Sequence, residues 1–224
     1  VLNYSVFAAS GNIPLHLLPT SAGFLSINRN TADVNDPVYL YRAASLAGPW
    51  TEERRFRNRG IPNLWKINDN TIWCTGAYDA GGSWSRYAIH YSNDGGDTWT
   101  TVLDVGSSTD SNPGQVRVNA AGTRGFHGGS GTAAAQQDRY SAAPGTAGSW
   151  TQVGASARGK NFGVMWPNIV IPYDVAYYYS ADNGVTFPTS KAIPAGMQTT
   201  ITQAYGTALD MSPQDANFLL AAPN

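Results

Sequence analysis

The chain is poor in features that would announce a chemistry. No stretch sustains an apolar repeat near 3.6 residues, so little helix is predicted, and no apolar run approaches the roughly 18 residues that a membrane-spanning helix needs. There is a single cysteine, Cys74, which excludes an internal disulfide; within Thr71-Ile72-Trp73-Cys74 it reads as a small buried hydrophobe, not a reactive thiol. Only two glutamates occur, Glu52 and Glu53, and only three histidines, His16, His90 and His127. The histidines stand in separate segments without paired spacing, which argues against a metal centre, and nothing points to a cofactor. Charged residues make up 13% of the chain and the formal net charge is −1, so bulk charge gives no reason to expect nucleic acid or membrane insertion. Scattered Ser, His and Asp residues form no nucleophile-elbow context. Val1 stands where an initiator methionine would, so a start that was processed, trimmed or preceded by further residues is expected and a signal peptide would not be visible, and the sequon Asn3-Tyr4-Ser5 is a match short enough to arise by chance.

What the chain does have is glycine (24), tyrosine (12) and tryptophan (7), the composition of an all-β, turn-rich protein. A length of 224 residues suits one domain, residues 1–224, or one repeat array. The stretch that organises it is Ser92-Asn93-Asp94-Gly95-Gly96-Asp97-Thr98-Trp99, set between the apolar run Tyr87–Tyr91 and the strand-like Thr100–Leu103. An aspartate just ahead of glycines accepts backbone N–H bonds across its own turn, and glycine supplies the positive φ such a turn demands. The aromatic after it returns into the sheet as an apolar plug. The same text recurs as Ser180-Ala181-Asp182-Asn183-Gly184-Val185-Thr186-Phe187.

Aligned on the aromatic after the turn, the chain gives Trp50, Trp99, Trp150 and Phe187, at spacings of 49, 51 and 37 residues. Four-stranded propeller blades have about this length, 40–50 residues each. Two further strand candidates precede each turn, for example Asn63–Ile67 and Thr71–Gly76 in the second repeat. A last pair, Gly206–Met211 and Asn217–Ala221, lacks its third and fourth strands. The expectation is an all-β, small β-propeller of about five four-stranded blades, closed by pairing of the N- and C-terminal strands, with Leu15–Leu18 in the outer hairpin of the closing blade. The first full repeat, Gly23 to about Glu53, looks short enough for three strands; six short blades also fit the length.

The pattern Ser-x-Asp-x-Gly-x-Thr-Trp resembles the Asp-box, or BNR repeat, of the sialidase superfamily and of many non-enzymatic β-propellers. It is carried by Ser92, Asp94, Gly96, Thr98 and Trp99, and again by Ser180, Asp182, Gly184, Thr186 and Phe187. With its degenerate copies the resemblance covers roughly residues 38 to 190. It implies a fold and a structural role for these residues at the blade periphery, away from a central site. Proteins of this kind include sialidases, glycan-binding lectins, assembly factors and bacteriophage tail proteins, so the resemblance leaves function open. A sialidase would bring three arginines, a tyrosine nucleophile activated by a glutamate, and an acid/base aspartate. Here Arg57-Asn58-Arg59-Gly60-Ile61-Pro62 is similar to that family's Arg-Ile-Pro motif but broken by Gly60, and the two glutamates follow Trp50 at what reads as the blade rim. No catalytic residue is assigned.

Strand parity separates two faces. First-to-second and third-to-fourth turns open on one; second-to-third loops and blade connections open on the other, where the long segments collect: Glu53 to Asn63, Tyr78 to Arg86, Asp104 to Gly114, Gly128 to Asp138, Gly154 to Asn161 and Pro194 to Gln203. Long loops on a rigid scaffold are where binding usually resides. They carry Arg54, Arg55, Arg57, Arg59, Arg86, Arg158 and Lys160, partly offset by Asp79, Asp104, Asp110 and Asp138. The candidate ligand-binding set is Arg57, Arg59, Tyr78, Trp84, Arg86, His127 and Arg158, suited to stacking on sugar rings and holding anionic groups, or to docking a protein neighbour. The plain alternative is that these arginines are simply solvated and Trp84 packs over a blade end. The combination of small size, low charge and Gly/Ser/Ala/Tyr richness resembles bacteriophage virion components. The expected partners are other virion proteins or host-surface glycans, in an oligomer within a larger assembly, and the expected location is the virion or the extracellular space. A free lectin-like propeller and a sialidase-like glycoside hydrolase are the alternatives.

Overall fold

The computed structural model describes residues 12–30, 38–56, 63–78, 86–107, 114–128, 137–153, 162–173, 176–192, 208–211 and 219–222. Among these residues there is no helix, and every strand pairing is antiparallel. Strands β1 (Asn12–Thr20), β2 (Gly23–Asn30), β3 (Val38–Ala43) and β4 (Thr51–Phe56) form a first four-stranded meander. A second comprises β5 (Asn63–Lys66), β6 (Ile72–Tyr78), β7 (Arg86–Ser92) and β8 (Thr100–Ser107), joined to the first only through the pair Phe56↔Tyr78. The third is β9 (Val116–Val118), β10 (Gly125–His127), β11 (Arg139–Ser141) and β12 (Trp150–Gln152); the fourth is β13 (Gly163–Met165), β14 (Asn168–Tyr173), β15 (Ala176–Ser180) and β16 (Thr189–Ala192). A final pair, β17 (Ala208–Met211) and β18 (Leu219–Ala222), completes the order. This is an all-β fold of propeller-type blades, with strand order within each blade following the chain. The chain divides into two compact units, Val1–Pro113 with the first two blades and Gly114–Asn224 with the third, the fourth and the last pair.

Alternation along the strands decides which face of each blade is buried. In β3, Val38 and Leu40 point one way and are fully buried; Tyr39 and Tyr41 point the other. Val38 and Leu40 join Leu25 and Ile27 of β2 against Leu64, Ile72 and Cys74 of the second blade, so the core of the first unit is a face-to-face contact between blades. The second unit repeats the arrangement: Phe126 and Val153 of the third blade pack with Phe162, Ile169 and Ile171, flanked by Trp166, Tyr178 and Phe187. Each such side chain contributes on the order of 1.5–3 kcal/mol by leaving water, so these inter-blade layers are the main cohesive term within each unit.

Two expectations are corrected. Leu15–Leu18 does not belong to a closing hairpin: it lies in β1, which pairs with β2 from Thr20↔Gly23 to Asn12↔Asn30, and the first blade therefore has four strands, not three. A two-residue turn, Ser21-Ala22, makes this pairing local, and a local hairpin closes with less entropy loss than one between distant chain ends. Gly23 permits it, with φ +120° and no room for a Cβ, which would lie 2.3 Å from Ala43 O. Likewise Arg54 and Arg55 are not loop residues but part of β4, held by backbone pairing to Leu40 and Tyr39. The expected pairing of the extreme N-terminus with the C-terminal strands involves residues 1–11, outside the described residues.

Candidate functional site

Both Ser-x-Asp-x-Gly-x-Thr turns connect the third and fourth strands of their blade, β7 to β8 and β15 to β16. Their hydrogen bonds are nearly superimposable. Ser92 Oγ donates to Asp94 Oδ1 (2.7 Å) and accepts from Gly96 N–H (2.8 Å), while Asp94 accepts from the Thr98 N–H (2.9 Å) and Oγ1–H (2.5 Å). In the other turn Ser180 Oγ donates to Asp182 Oδ1 (2.7 Å) and accepts from Gly184 N–H (2.9 Å), and Asp182 accepts from Thr186 N–H (2.9 Å) and Oγ1–H (2.6 Å). Burial opposes ionisation of Asp94, but donors from Thr98, Ser92 and Asp97 outweigh it and bring its pKa down to about 2; Asp182 is lowered by the same balance. Both aspartates are therefore anionic acceptors already occupied by their own turn.

The turns also fasten blades together. The residue after the aspartate donates its N–H to the first-to-second turn of the same blade, Gly95 to Asn70 O and Asn183 to Pro167 O, both at 2.9 Å. The next residue presses on the second strand of the preceding blade: a Cβ at Gly96 would lie 2.9 Å from Leu25 Cδ1, and one at Gly184 would lie 2.3 Å from Phe126 Cδ2. Arg42 of β3 adds an ionic tie, with Nε 2.9 Å from Glu53 Oε1 and Nη1 2.7 Å from Asp97 Oδ1 in the turn of the second blade. In the third blade Ala143 replaces the aspartate; its N–H still donates to Ser141 Oγ (3.1 Å), and the Ser149 hydroxyl fills the turn, 2.7 Å from Ser141 Oγ and from Ala143 O. These turns build the scaffold, with their serine, aspartate and threonine groups bonded within the turn.

Of the predicted binding residues, the opposite end of the blades carries Tyr78, Arg86 and His127. Register brings Tyr78 and Arg86 directly opposite each other as the last pair of β6 and β7, with Phe56 of β4 on the other side of Tyr78. Arg57 and Arg59 follow Phe56 in the chain, but they, Trp84 and Arg158 lie outside the described residues. Beside this end the Arg55 guanidinium sits over the Tyr39 ring, 5.5 Å from its centroid, and Tyr39 lies 5.7 Å from Tyr41. That cation–aromatic pair was not foreseen, because its signal is cross-strand register rather than sequence proximity.

His127 is placed differently from its prediction. It closes β10 at the second-to-third-loop end of the third blade, opposite Arg139 and Val116, and is 1% exposed, so its ring does not face solvent. Burial pushes its pKa down to about 3, helped by Arg139 and partly opposed by the Gln137 backbone. His90 behaves alike: fully buried, Nδ1 3.1 Å from Thr101 Oγ1, pKa down to about 3 through burial and then the charge of Arg54, against Asp104. Cys74 is fully buried, and desolvation raises its thiol to about 12, so it is inert at neutral pH. Of the glutamates, Glu53 is tied to Arg42 and Glu52 stands opposite Tyr41 on β4. Tyr41's hydroxyl is raised by burial and then by Glu52, which holds the phenol protonated. Among the described residues no group of three or more His, Cys, Asp or Glu is arranged to hold a metal.

No family model matches the sequence, and no curated protein matches it. Among solved structures, the chain is similar to a functionally unknown protein from Desulfotomaculum acetoxidans, at 12% identity and a TM-score of 0.42. That alignment covers 80% of this chain, which spans 58% of the length of the other.

Proposed function

We propose that this protein is a non-catalytic binding or assembly module, presenting the loop end of its blades to a host-surface glycan or to neighbouring proteins of a bacteriophage particle. The observation that carries the reading is the register Phe56–Tyr78–Arg86 at the end of the first unit away from the hydrogen-bonded turns; Arg57 and Arg59 follow Phe56 in the sequence. Aromatic and arginine residues of this kind offer stacking surface and fixed positive charge to a sugar or a protein. The serine, aspartate and threonine groups of the two matching turns bond within the turn, which favours the loop end as the recognition face. Glu53 is committed to Arg42 on the neighbouring strand, which weighs against its use in activating a tyrosine nucleophile.

The test is a glycan-array screen of the purified protein beside an Arg57→Ala/Arg59→Ala double variant and Trp84→Ala. Saturable binding that both variants lose by tenfold or more, about 1.4 kcal/mol, is the expected result for a glycan receptor site. A blank array from folded protein moves the reading to docking within a particle. Turnover of fluorogenic glycosides that is abolished by Tyr41→Phe would overturn it in favour of a hydrolase.

A further inference from the structure

The chain contains one Asn-Gly dipeptide, Asn183-Gly184, and one Asp-Gly dipeptide, Asp94-Gly95. Each falls inside one of the two matching turns. A turn that demands positive φ selects these residues: Asn183 has φ +64°, Gly184 +84° and Gly95 +77°. They are also the dipeptides in which the following amide nitrogen, unhindered by a side chain, most readily attacks the side-chain carbonyl. We propose that Asn183 is a deamidation site held shut by the turn around it, so that opening of this turn sets the rate at which it is modified.

The chemistry is a ring closure followed by hydrolysis. The Gly184 nitrogen, giving up its proton to hydroxide, bonds to Asn183 Cγ; the side-chain amide leaves as ammonia, and a five-membered succinimide remains. Water then opens either imide carbonyl, yielding aspartate or isoaspartate, so the net change is asparagine plus water to a carboxylate plus ammonia. In the folded turn the attacking nitrogen is committed elsewhere, donating to Ser180 Oγ at 2.9 Å, while the N–H of Asn183 itself donates to Pro167 O at 2.9 Å. Both ends of the residue are pinned. Gly184 is also seated on Phe126, which lies 2.3 Å from where a Cβ would stand. Asn183 is only half-buried, so hydroxide and water reach it once the turn opens.

Asp94-Gly95 supplies the contrast within the same molecule. Ring closure on aspartate must expel oxygen from a neutral carboxyl, and Asp94 is held ionised by Thr98 and Ser92 while Gly95 N–H donates to Asn70 O at 2.9 Å. Modification is therefore predicted at residue 183 and not at residue 94. Its product places a second carboxylate beside Asp182 or inserts an extra backbone carbon, and either loosens the contact between Gly184 and Phe126.

The experiment incubates the full chain at physiological temperature and mildly alkaline pH and follows residues 94 and 183 by peptide mapping with mass spectrometry. Folded protein should convert at Asn183 at least about tenfold more slowly than the same chain unfolded in urea. Ser180→Ala should raise the folded rate about tenfold, in proportion to faster hydrogen exchange at the Gly184 amide, while Ser92→Ala leaves residue 183 unchanged. Equal rates in folded and unfolded wild-type chain would overturn the proposal, and that comparison decides even if Ser180→Ala fails to fold. So would a Ser180→Ala protein whose Gly184 amide exchanges faster while Asn183 converts no faster.

Discussion

At the scale of single residues, three glycines with similar φ separate backbone strain from packing. Gly148 (φ +75°) has nothing within 4 Å of a built Cβ, Gly96 (φ +91°) meets the flexible end of Leu25, and Gly184 (φ +84°) meets the Phe126 ring at 2.3 Å. Alanine at Gly148 therefore incurs only the left-handed backbone penalty, about 1–2 kcal/mol. At Gly184 overpacking adds roughly 1–3 kcal/mol, and Gly96→Ala should fall between them. Urea denaturation of the three variants checks the order; equal losses would mean that Phe126 yields freely. The tryptophans allow a parallel test. Trp99 Nε1 donates to Gly96 O at 3.1 Å from a partly buried site, whereas Trp150, 5% exposed, donates to Pro144 O at 3.2 Å. The fourth blade already holds Phe187 at this position. Trp99→Phe should accordingly cost about 1 kcal/mol, and Trp150→Phe, which loses its bond in a buried setting, somewhat more, about 1.5 kcal/mol.

At the scale of elements, the four copies of the third-to-fourth turn show which parts of a repeat survive as text. The closing aromatics were legible because each plugs the sheet and no smaller residue fills that space. Hidden in the third blade was the substitution of one hydroxyl for a carboxylate: Ser149 stands six residues beyond the position that its oxygen serves, a distance no aligned motif spans. If Ser149 does replace the aspartate, Ser149→Ala should destabilise by about as much as Asp182→Ala, on the order of 1 kcal/mol each in chemical denaturation. A neutral Ser149→Ala would mean that Ser141 alone holds the turn. The start of strand β4 was legible, with Glu52 and Glu53 read at the blade rim after Trp50, but its continuation through Arg54, Arg55 and Phe56 was missed for a different reason. Thr-Glu-Glu-Arg-Arg-Phe carries no apolar alternation, and it is a strand because its backbone pairs with β3. Arg42, which ties β3 to the next blade's turn, has a partner 55 residues away in the chain, so no local signal marks it. Both ends of that bridge are substantially exposed, and Arg42→Met should change stability by less than about 1 kcal/mol.

At the scale of the whole molecule, strand parity read from the sequence expected the turns and the binding candidates at opposite ends of the blades, and the register of β6 and β7 places Tyr78 and Arg86 at the end away from the turn Ser92–Trp99. Parity reports which end a residue occupies but not whether its side chain is enclosed, which is why His127 counted as a surface group and is 1% exposed. The burial of His90 in one unit and His127 in the other carries a pH signature. Both are pushed down to about 3, chiefly by desolvation and secondarily by Arg54 and Arg139. Unfolded, each would titrate near 6.5, so the unfolded chain binds more protons as pH falls. The stabilisation from keeping these rings neutral is fully present above about pH 6.5 and declines toward about pH 3, by up to ~1.4 kcal/mol per pH unit for each histidine. Asp94 and Asp182, with lowered values, add their loss only as pH drops below about 4. Urea unfolding at closely spaced pH values should therefore show stability falling from near pH 6.5, well before the carboxylates titrate. His90→Gln and His127→Gln should each remove one proton's worth of that slope, from separate units if those unfold separately. A profile flat down to about pH 4 would mean that the buried rings admit a proton without penalty, and that burial of these two side chains is looser than their enclosure between strands implies.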